Sequence, residues 1–276
     1  MNNKSIAFIG GGNMASAILS GLIENGYNKE LLTVSAPSCT TRIKLEQLFG
    51  IKVVSNNCEA IKQADLIILA VKPQIMKDVC LDIKRNVRNL EEKIFVTLAA
   101  GTPIKFYKQI LGENIKIIRV MPNTPSLVRE GVSGIFSEKT ISTEDQDVIA
   151  KIMANVGKVI WLKKEEEINK IIALAGSSPG YFFNFLDALQ EKAETLGFNK
   201  KDAREIIIQV LKGITLLAER EEEKSFLDLS LSVASKGGAT AQALKVFEDN
   251  NFKQLVANAM QATINRSQEI ENELGL

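Results

Sequence analysis

The chain has 276 residues, 45% hydrophobic and 24% charged, with a formal charge of +1. That length supports one large or two medium domains with real cores, and the near-neutral balance gives no general attraction to nucleic acid or anionic lipid. There is no histidine, which excludes Ser-His-Asp hydrolysis, histidine acid–base chemistry and His-ligated metal sites.

The first predicted element is a strand, Ile6 to Ile9, which breaks into Gly10-Gly11-Gly12-Asn13-Met14-Ala15 ahead of a helix through Asn25. This is the Gly-x-Gly-x-x-Ala form of the dinucleotide fingerprint in its proper strand-to-helix setting. Gly10 permits the tight turn, Gly12 lets a pyrophosphate approach the backbone, and Ala15 lets helix and strand pack closely. The helix N-terminus then offers free N–H groups and partial positive charge. Further strands are expected at Leu32–Ser35, Lys52–Val54, Leu66–Ala70, Ile94–Leu98, Lys116–Met121, Val132–Phe136 and Val159–Leu162. Helices are expected around Thr41–Leu48, Cys58–Gln63, Gln74–Arg88 and Pro103–Leu111. Uninterrupted apolar strands alternating with helices predict a Rossmann-type α/β domain with a doubly wound parallel sheet.

The strand signal stops after Trp161-Leu162. Helical spacing follows through Ile168, Ile171, Ile172 and Ala175, along Tyr181–Leu189, and over Lys201–Arg220, Gly238–Asp249 and Phe252–Leu274. Asn199 or Asp202 is a candidate cap for the second long helix. The division into domains is therefore 1–163, which binds the nucleotide, and 164–276, which is all-helical. Helices so apolar need a cover, so a homodimer is expected, with a self-contained bundle as the alternative.

Cys39, Cys58 and Cys80 lie far apart without a CxxC pair. They suit a reducing compartment, as buried or incidental thiols, and supply no disulfide framework or zinc site. The first strand begins almost at the N-terminus and no apolar run reaches a membrane span. The expected location is cytoplasmic, with no membrane partner.

An NAD-type site places an acid about 20 residues past the glycines, on the ribose 2′-hydroxyl. Here that stretch reads Thr33-Val34-Ser35-Ala36-Pro37-Ser38, followed by Arg42. Neutral hydroxyls beside an arginine accommodate a 2′-phosphate, so NADPH is the expected cofactor, with NADH usable because nothing repels it. Ser35 is a named cofactor contact on this reading.

Four ordered blocks then carry a family resemblance: Gly10-x-Gly12-Asn13-Met14, Ala70-Val71-Lys72-Pro73-Gln74, Leu98-Ala99-Ala100-Gly101 and Arg119-Val120-Met121-Pro122-Asn123-Thr124-Pro125. Two more, Leu174 to Tyr181 and Ser235-Lys236-Gly237-Gly238-Ala239-Thr240, fall in the helical half. The sequence resembles Δ1-pyrroline-5-carboxylate reductase, the last enzyme of proline synthesis. The resemblance implies a helical dimerisation domain, sometimes assembled further, and a substrate pocket completed across the dimer. It implies cofactor contacts from Gly10, Gly12, Asn13, Met14, Asn57, Ala70, Lys72, Pro73, Ala99, Ala100, Gly101 and Asn123. Asn57 also reads as a helix N-cap. Lys72 offers charge to cofactor or substrate, or is a solvated loop lysine. Gly237 and Gly238 open a helix whose N–H groups can hold an anion. By resemblance that anion is the substrate carboxylate, Thr240 holds the ring nitrogen, Ser235 contacts substrate, and Ser177 adds a hydroxyl. The implied reaction is hydride transfer to a cyclic imine, giving L-proline.

Three departures from the family pattern stand out. Ser178 occupies a usual glycine, Lys236 a usual proline, and Ser126-Leu127-Val128-Arg129 a stretch that normally carries Ala or Gly first and Gly fourth. They leave open a diverged paralogue acting on another cyclic imine, or a non-enzymatic NADP-binding regulatory dimer. Ser235 and Thr240, both retained, argue against the latter.

Overall fold

The computed structural model describes residues 4–273. Among these, the strands are β1 (Ile6–Ile9), β2 (Leu32–Ser35), β3 (Lys52–Val54), β4 (Leu66–Leu69), β5 (Ile94–Thr97), β6 (Lys116–Met121), β7 (Gly131–Ser137) and β8 (Gly157–Trp161). They form one sheet in the order β3-β2-β1-β4-β5-β6-β7-β8. β1 to β6 pair in parallel, β7 runs antiparallel to β6, and β8 is parallel to β7. The chain winds outward from β1 to β3, then returns to place β4 on the other side of β1. The carboxyl ends of β1 and β4 thus flank the switch point where α/β sheets bind ligands.

The helices of this half are α1 (Asn13–Glu24), α2 (Cys39–Phe49), α3 (Asn57–Lys62), α4 (Pro73–Asn86), α5 (Ile104–Leu111) and α6 (Thr143–Ala154). Side chains alternate along each strand, so one apolar run feeds two cores. Ile6 and Phe8 join Ile18, Leu22, Leu45 and Ile149 on one face, while Ala7 and Ile9 join Ile61, Met76, Ile83 and Tyr107 on the other. This double covering explains why the strands read as continuous hydrophobic segments.

The remaining helices are α7 (Glu167–Ile171), α8 (Ser178–Thr195), α9 (Lys200–Arg220), α10 (Phe226–Ser232), α11 (Ala239–Asp249) and α12 (Phe252–Glu273), with a π-helical turn at Ile172–Gly176 before α8. Asn199 is the cap of α9, accepting from the Asp202 backbone at 3.0 Å. Two helices were not anticipated, α6 and α10. Each has a side-chain cap in the sequence: Ser142 accepts from the Asp145 backbone, and Ser225 forms a reciprocal capping box with Asp228.

Contacts divide the chain into two compact units. The first runs to Pro179 and takes back the segment from Ala262, and the second is Gly180–Gln261. Strands end near the sequence boundary of 163, but compactness carries α7 and the π turn with the sheet. In the second unit, Ala203 is the one buried apolar residue among those described. Phe183 and Phe226 are 68% and 84% exposed. The unit lacks the core that a self-contained bundle would have. No described helix is long and apolar enough to cross a membrane.

Cys39 is exposed, whereas Cys58 and Cys80 are buried. Burial pushes the Cys80 thiol up to about 12. Burial, then the neighbouring Asp82 carboxylate, also raises Cys58. Because the thiolate is the reactive form, titration of the native protein with a thiol reagent at mildly alkaline pH is expected to show one fast thiol. Two or three fast thiols would contradict this packing.

Candidate active site

The β1–α1 turn is built around Gly10. Its φ is +102°, and a Cβ there would lie 2.8 Å from the Ala70 carbonyl oxygen. Only glycine meets both conditions. Its N–H donates to the Ser35 carbonyl at 2.9 Å, tying the ends of β1 and β2. Gly12 caps α1 in extended backbone, with no side-chain cap and no acid in the first turn. A Cβ on Gly12 would meet nothing within 4 Å. The free N–H groups of α1 therefore face open space, where an anionic group can sit. Asn13 is exposed, Met14 half-buried and Ala15 fully buried.

Across the switch point, the Ala70 N–H donates to the Ile9 carbonyl at 2.9 Å. Lys72 is the N-cap of α4, exposed and without a side-chain cap bond, and Pro73 occupies the first helical position. A second bare helix N-terminus thus opens at the same sheet edge, with a lysine beside it.

The β2 end differs from the expectation in two particulars. Ser35 is 0% exposed, and its hydroxyl donates to Asn57 Oδ1 at 2.7 Å. It braces Asn57 and does not face outward. The cap of α3 is Asn56, which accepts from the Glu59 backbone at 3.0 Å, so Asn57 is not the N-cap. The outward groups of the turn are Ser38, which caps α2, and Arg42, which donates to the Ala36 and Pro37 carbonyls at 3.0 and 2.7 Å.

Past β5, the Ala99–Gly101 ridge rests on buried hydroxyls. Thr97, Thr102 and Tyr107 are all buried. The Ala99 N–H donates to Thr97 Oγ1 at 3.3 Å, Thr97 pairs with the Tyr107 hydroxyl, Tyr107 donates to Thr102 Oγ1 at 2.8 Å, and Thr102 donates to the Ala99 carbonyl at 2.9 Å. Gly101 has φ +68°, and a Cβ on it would lie 2.5 Å from Ile270 Cγ2. The end of α12 thus closes directly over the ridge.

After β6, Asn123 is buried and bonds in two directions. Its Nδ2 donates to the Ala175 carbonyl at 3.0 Å, and its Oδ1 accepts from the Val132 N–H at 2.8 Å. It locks the β6 loop to β7 and to the π turn, where the Ser177 N–H reaches the Ile172 carbonyl at 2.8 Å. Such turns occur often at functional sites. A Cβ on Gly176 would lie 3.0 Å from Met121 Cε, so small size is needed there. Arg129, where the family pattern has glycine, adopts φ +63° and pairs with Glu24. The Ser126 hydroxyl is buried without a partner.

Behind these loops, Arg119 is 3% exposed and donates to Glu165 Oε1 at 2.8 Å, with Glu271 at 3.5 Å. The same Glu165 oxygen accepts the Ile104 N–H at 2.7 Å, satisfying the start of α5. Ser267 donates to Asn169 at 2.8 Å. None of these roles was read from the sequence, because partners so far apart leave no local pattern.

In the second unit, Gly237 has φ +73° and Gly238 caps α11 without a side-chain cap or an acid in the first turn. The Gly238 N–H donates to the Ser235 carbonyl at 2.9 Å, and the Ser235 hydroxyl occupies the space a Gly238 Cβ would need. Ser235, Lys236, Gly237 and Thr240 are exposed. Thr240 stands in the first turn of α11.

Residues 165–270 match the family described as pyrroline-5-carboxylate reductase dimerisation, and residues 5–101 match that of coenzyme F420-dependent NADP oxidoreductases. A pyrroline-5-carboxylate reductase of Vibrio alginolyticus is 41% identical over 271 residues, spanning 98% of this chain and 99% of that one. The solved pyrroline-5-carboxylate reductase of Coxiella burnetii has a TM-score of 0.88 at 38% identity, covering 98% of this chain and 99% of its own. A Plasmodium falciparum pyrroline carboxylate reductase with NADP bound gives 0.87 at 29% identity, covering 98% and 99%. With the sheet, the switch-point turns and the helical half matched along nearly the whole length, this chain belongs to the pyrroline-5-carboxylate reductase family.

Proposed function

We propose that the protein reduces Δ1-pyrroline-5-carboxylate to L-proline with a nicotinamide dinucleotide, as its full-length relatives are named for doing. The observation that carries this reading is the open cradle at Gly12: a bare helix N-terminus at the switch point, with space a side chain would fill. Gly10, Gly12, Asn13 and Met14 would hold the pyrophosphate. Ala70, Lys72 and Pro73 would line the second strand end. The cofactor, when bound, supplies the hydride. NADPH is favoured over NADH because Ser38 and Arg42 flank the β2 turn where an acid would repel a 2′-phosphate, with Asn57 held in place by Ser35. Ala99, Ala100, Gly101 and Asn123 form the stiff wall for the nicotinamide.

The second unit carries the other half of the chemistry. The N–H groups at Gly237, Gly238 and the start of α11 bind the substrate carboxylate. Thr240 hydrogen-bonds the ring nitrogen and Ser235 contacts the substrate beside the turn. An imine can arrive already protonated, which is how a chain without histidine can run this reduction. Orientation can supply roughly 7–11 kcal/mol of the barrier. The uncovered apolar helices of the second unit, together with the dimerisation family match, support a homodimer that can assemble further. The cysteine usage supports a cytoplasmic setting.

Thr240→Ala tests the assignment. Turnover is expected to fall roughly tenfold to a hundredfold, the range for one hydrogen bond to a charged group, while NADPH affinity stays level. Equal loss of both would make Thr240 a structural residue. A panel of cyclic imines assayed alongside separates pyrroline-5-carboxylate from a larger or isomeric substrate.

A further inference from the structure

We propose that Tyr107 is a positioning residue for the cofactor's nicotinamide half, acting through a closed ring of hydrogen bonds. The proposal rests on the reading above that the Ala99–Gly101 ridge is the nicotinamide wall. The ring runs from the Ala99 N–H to Thr97, to Tyr107, to Thr102 and back to the Ala99 carbonyl. Either Thr97 or Tyr107 is a chemically competent donor in their shared bond. The two backbone groups decide the matter. An amide N–H can only donate and a carbonyl can only accept, so with Thr102 donating to the Ala99 carbonyl, Tyr107 must donate to Thr102. Thr97 must then donate to Tyr107. Each hydroxyl gives one proton and receives one, all in the same rotational sense.

Both polar groups of Ala99 are spoken for, so the orientation of the ridge at its first residue is fixed from beneath. Thr97, Thr102 and Tyr107 are almost fully buried, where such chains reinforce one another and a missing link is costly. Burial also raises the Tyr107 hydroxyl above the ordinary tyrosine range, keeping it a protonated donor. At the other end of the ridge, Ile270 packs where a Gly101 side chain would be. The ridge is therefore held at both ends, by the hydroxyl ring at Ala99 and by Ile270 at Gly101. A phenylalanine at 107 would fill the same space and make the edge-on contact with Phe106, but it would open the ring.

The test compares NADPH with 2′,5′-ADP, which carries the adenosine half and lacks nicotinamide. Tyr107→Phe is expected to weaken NADPH binding about tenfold and leave 2′,5′-ADP binding level. Thr102→Val, which opens the ring at another link, should reproduce that split, and Thr102→Ser, which keeps the hydroxyl, should restore it. This second pair carries the test if Tyr107→Phe fails to fold. A purely structural role predicts a lower melting temperature with both ligands moving together or neither moving; either result overturns the proposal. Because the readout is binding, it is separate from the reaction assigned above. Failure of that assignment would appear in the unaltered protein as no imine-dependent NADPH oxidation.

Discussion

Gly12→Val is expected to reduce NADPH affinity about a hundredfold or more while leaving the fold in place. The physical asymmetry lies between two glycines two residues apart. At Gly12 the backbone is extended and an added Cβ meets no protein atom within 4 Å beyond its chain neighbours, so a side chain there enters the space proposed for the ligand. The cost to the protein is a poorer N-cap, about 1 kcal/mol. At Gly10 the left-handed backbone and the Ala70 carbonyl make any side chain destabilising. Fluorescence titration with NADPH, run beside thermal melting, checks this. Gly12→Val should lose ligand and keep most of its melting temperature, and Gly10→Ala should lose both. Unchanged NADPH affinity in Gly12→Val would remove the phosphates from this turn.

Glu165→Ala is expected to destabilise the first unit by about 3 kcal/mol, roughly 8 °C in melting temperature. Arg119 is 3% exposed and its nearer carboxylate is Glu165 at 2.8 Å, with Glu271 more distant at 3.5 Å. Removing Glu165 leaves a buried guanidinium with only the more distant Glu271 and leaves the Ile104 N–H without its acceptor. Glu59→Ala is the control. Its pair with Lys52 is half-exposed on both sides, and such pairs contribute about 0–1 kcal/mol. Denaturant unfolding should show a lower midpoint for Glu165→Ala at unchanged slope. A loss no larger than the control's would mean the Arg119 cluster is not a structural anchor.

The central strands β1 and β4 were legible because every residue in them is apolar and buried. The β1–α1 turn was legible because its requirements, a positive φ at Gly10 and an open Cβ position at Gly12, translate directly into glycines. The β2 side was only half legible. Two adjacent asparagines, Asn56 and Asn57, carry the same capping signal, and nothing local reveals that Ser35 turns inward to hold the second. The hydroxyl ring and the Arg119–Glu165 pair were invisible for a different reason. Their members sit 5, 10 and 46 residues apart, and only the fold brings them together: α5 carries Tyr107 to Thr97 of β5, and the segment after β8 carries Glu165 to Arg119 of β6. Helix α6 is marked at its start by Ser142 and Asp145, but it is a short amphipathic run between two strands and carries only a weak periodic signal of its own.

The most direct measurement is a steady-state reaction with NADPH and Δ1-pyrroline-5-carboxylate in which nucleotide oxidation and proline formation are followed together. The account predicts one L-proline for each NADPH consumed. Tight NADPH binding with no proline formed would contradict it, and would leave a protein that keeps the cradle and has lost the chemistry.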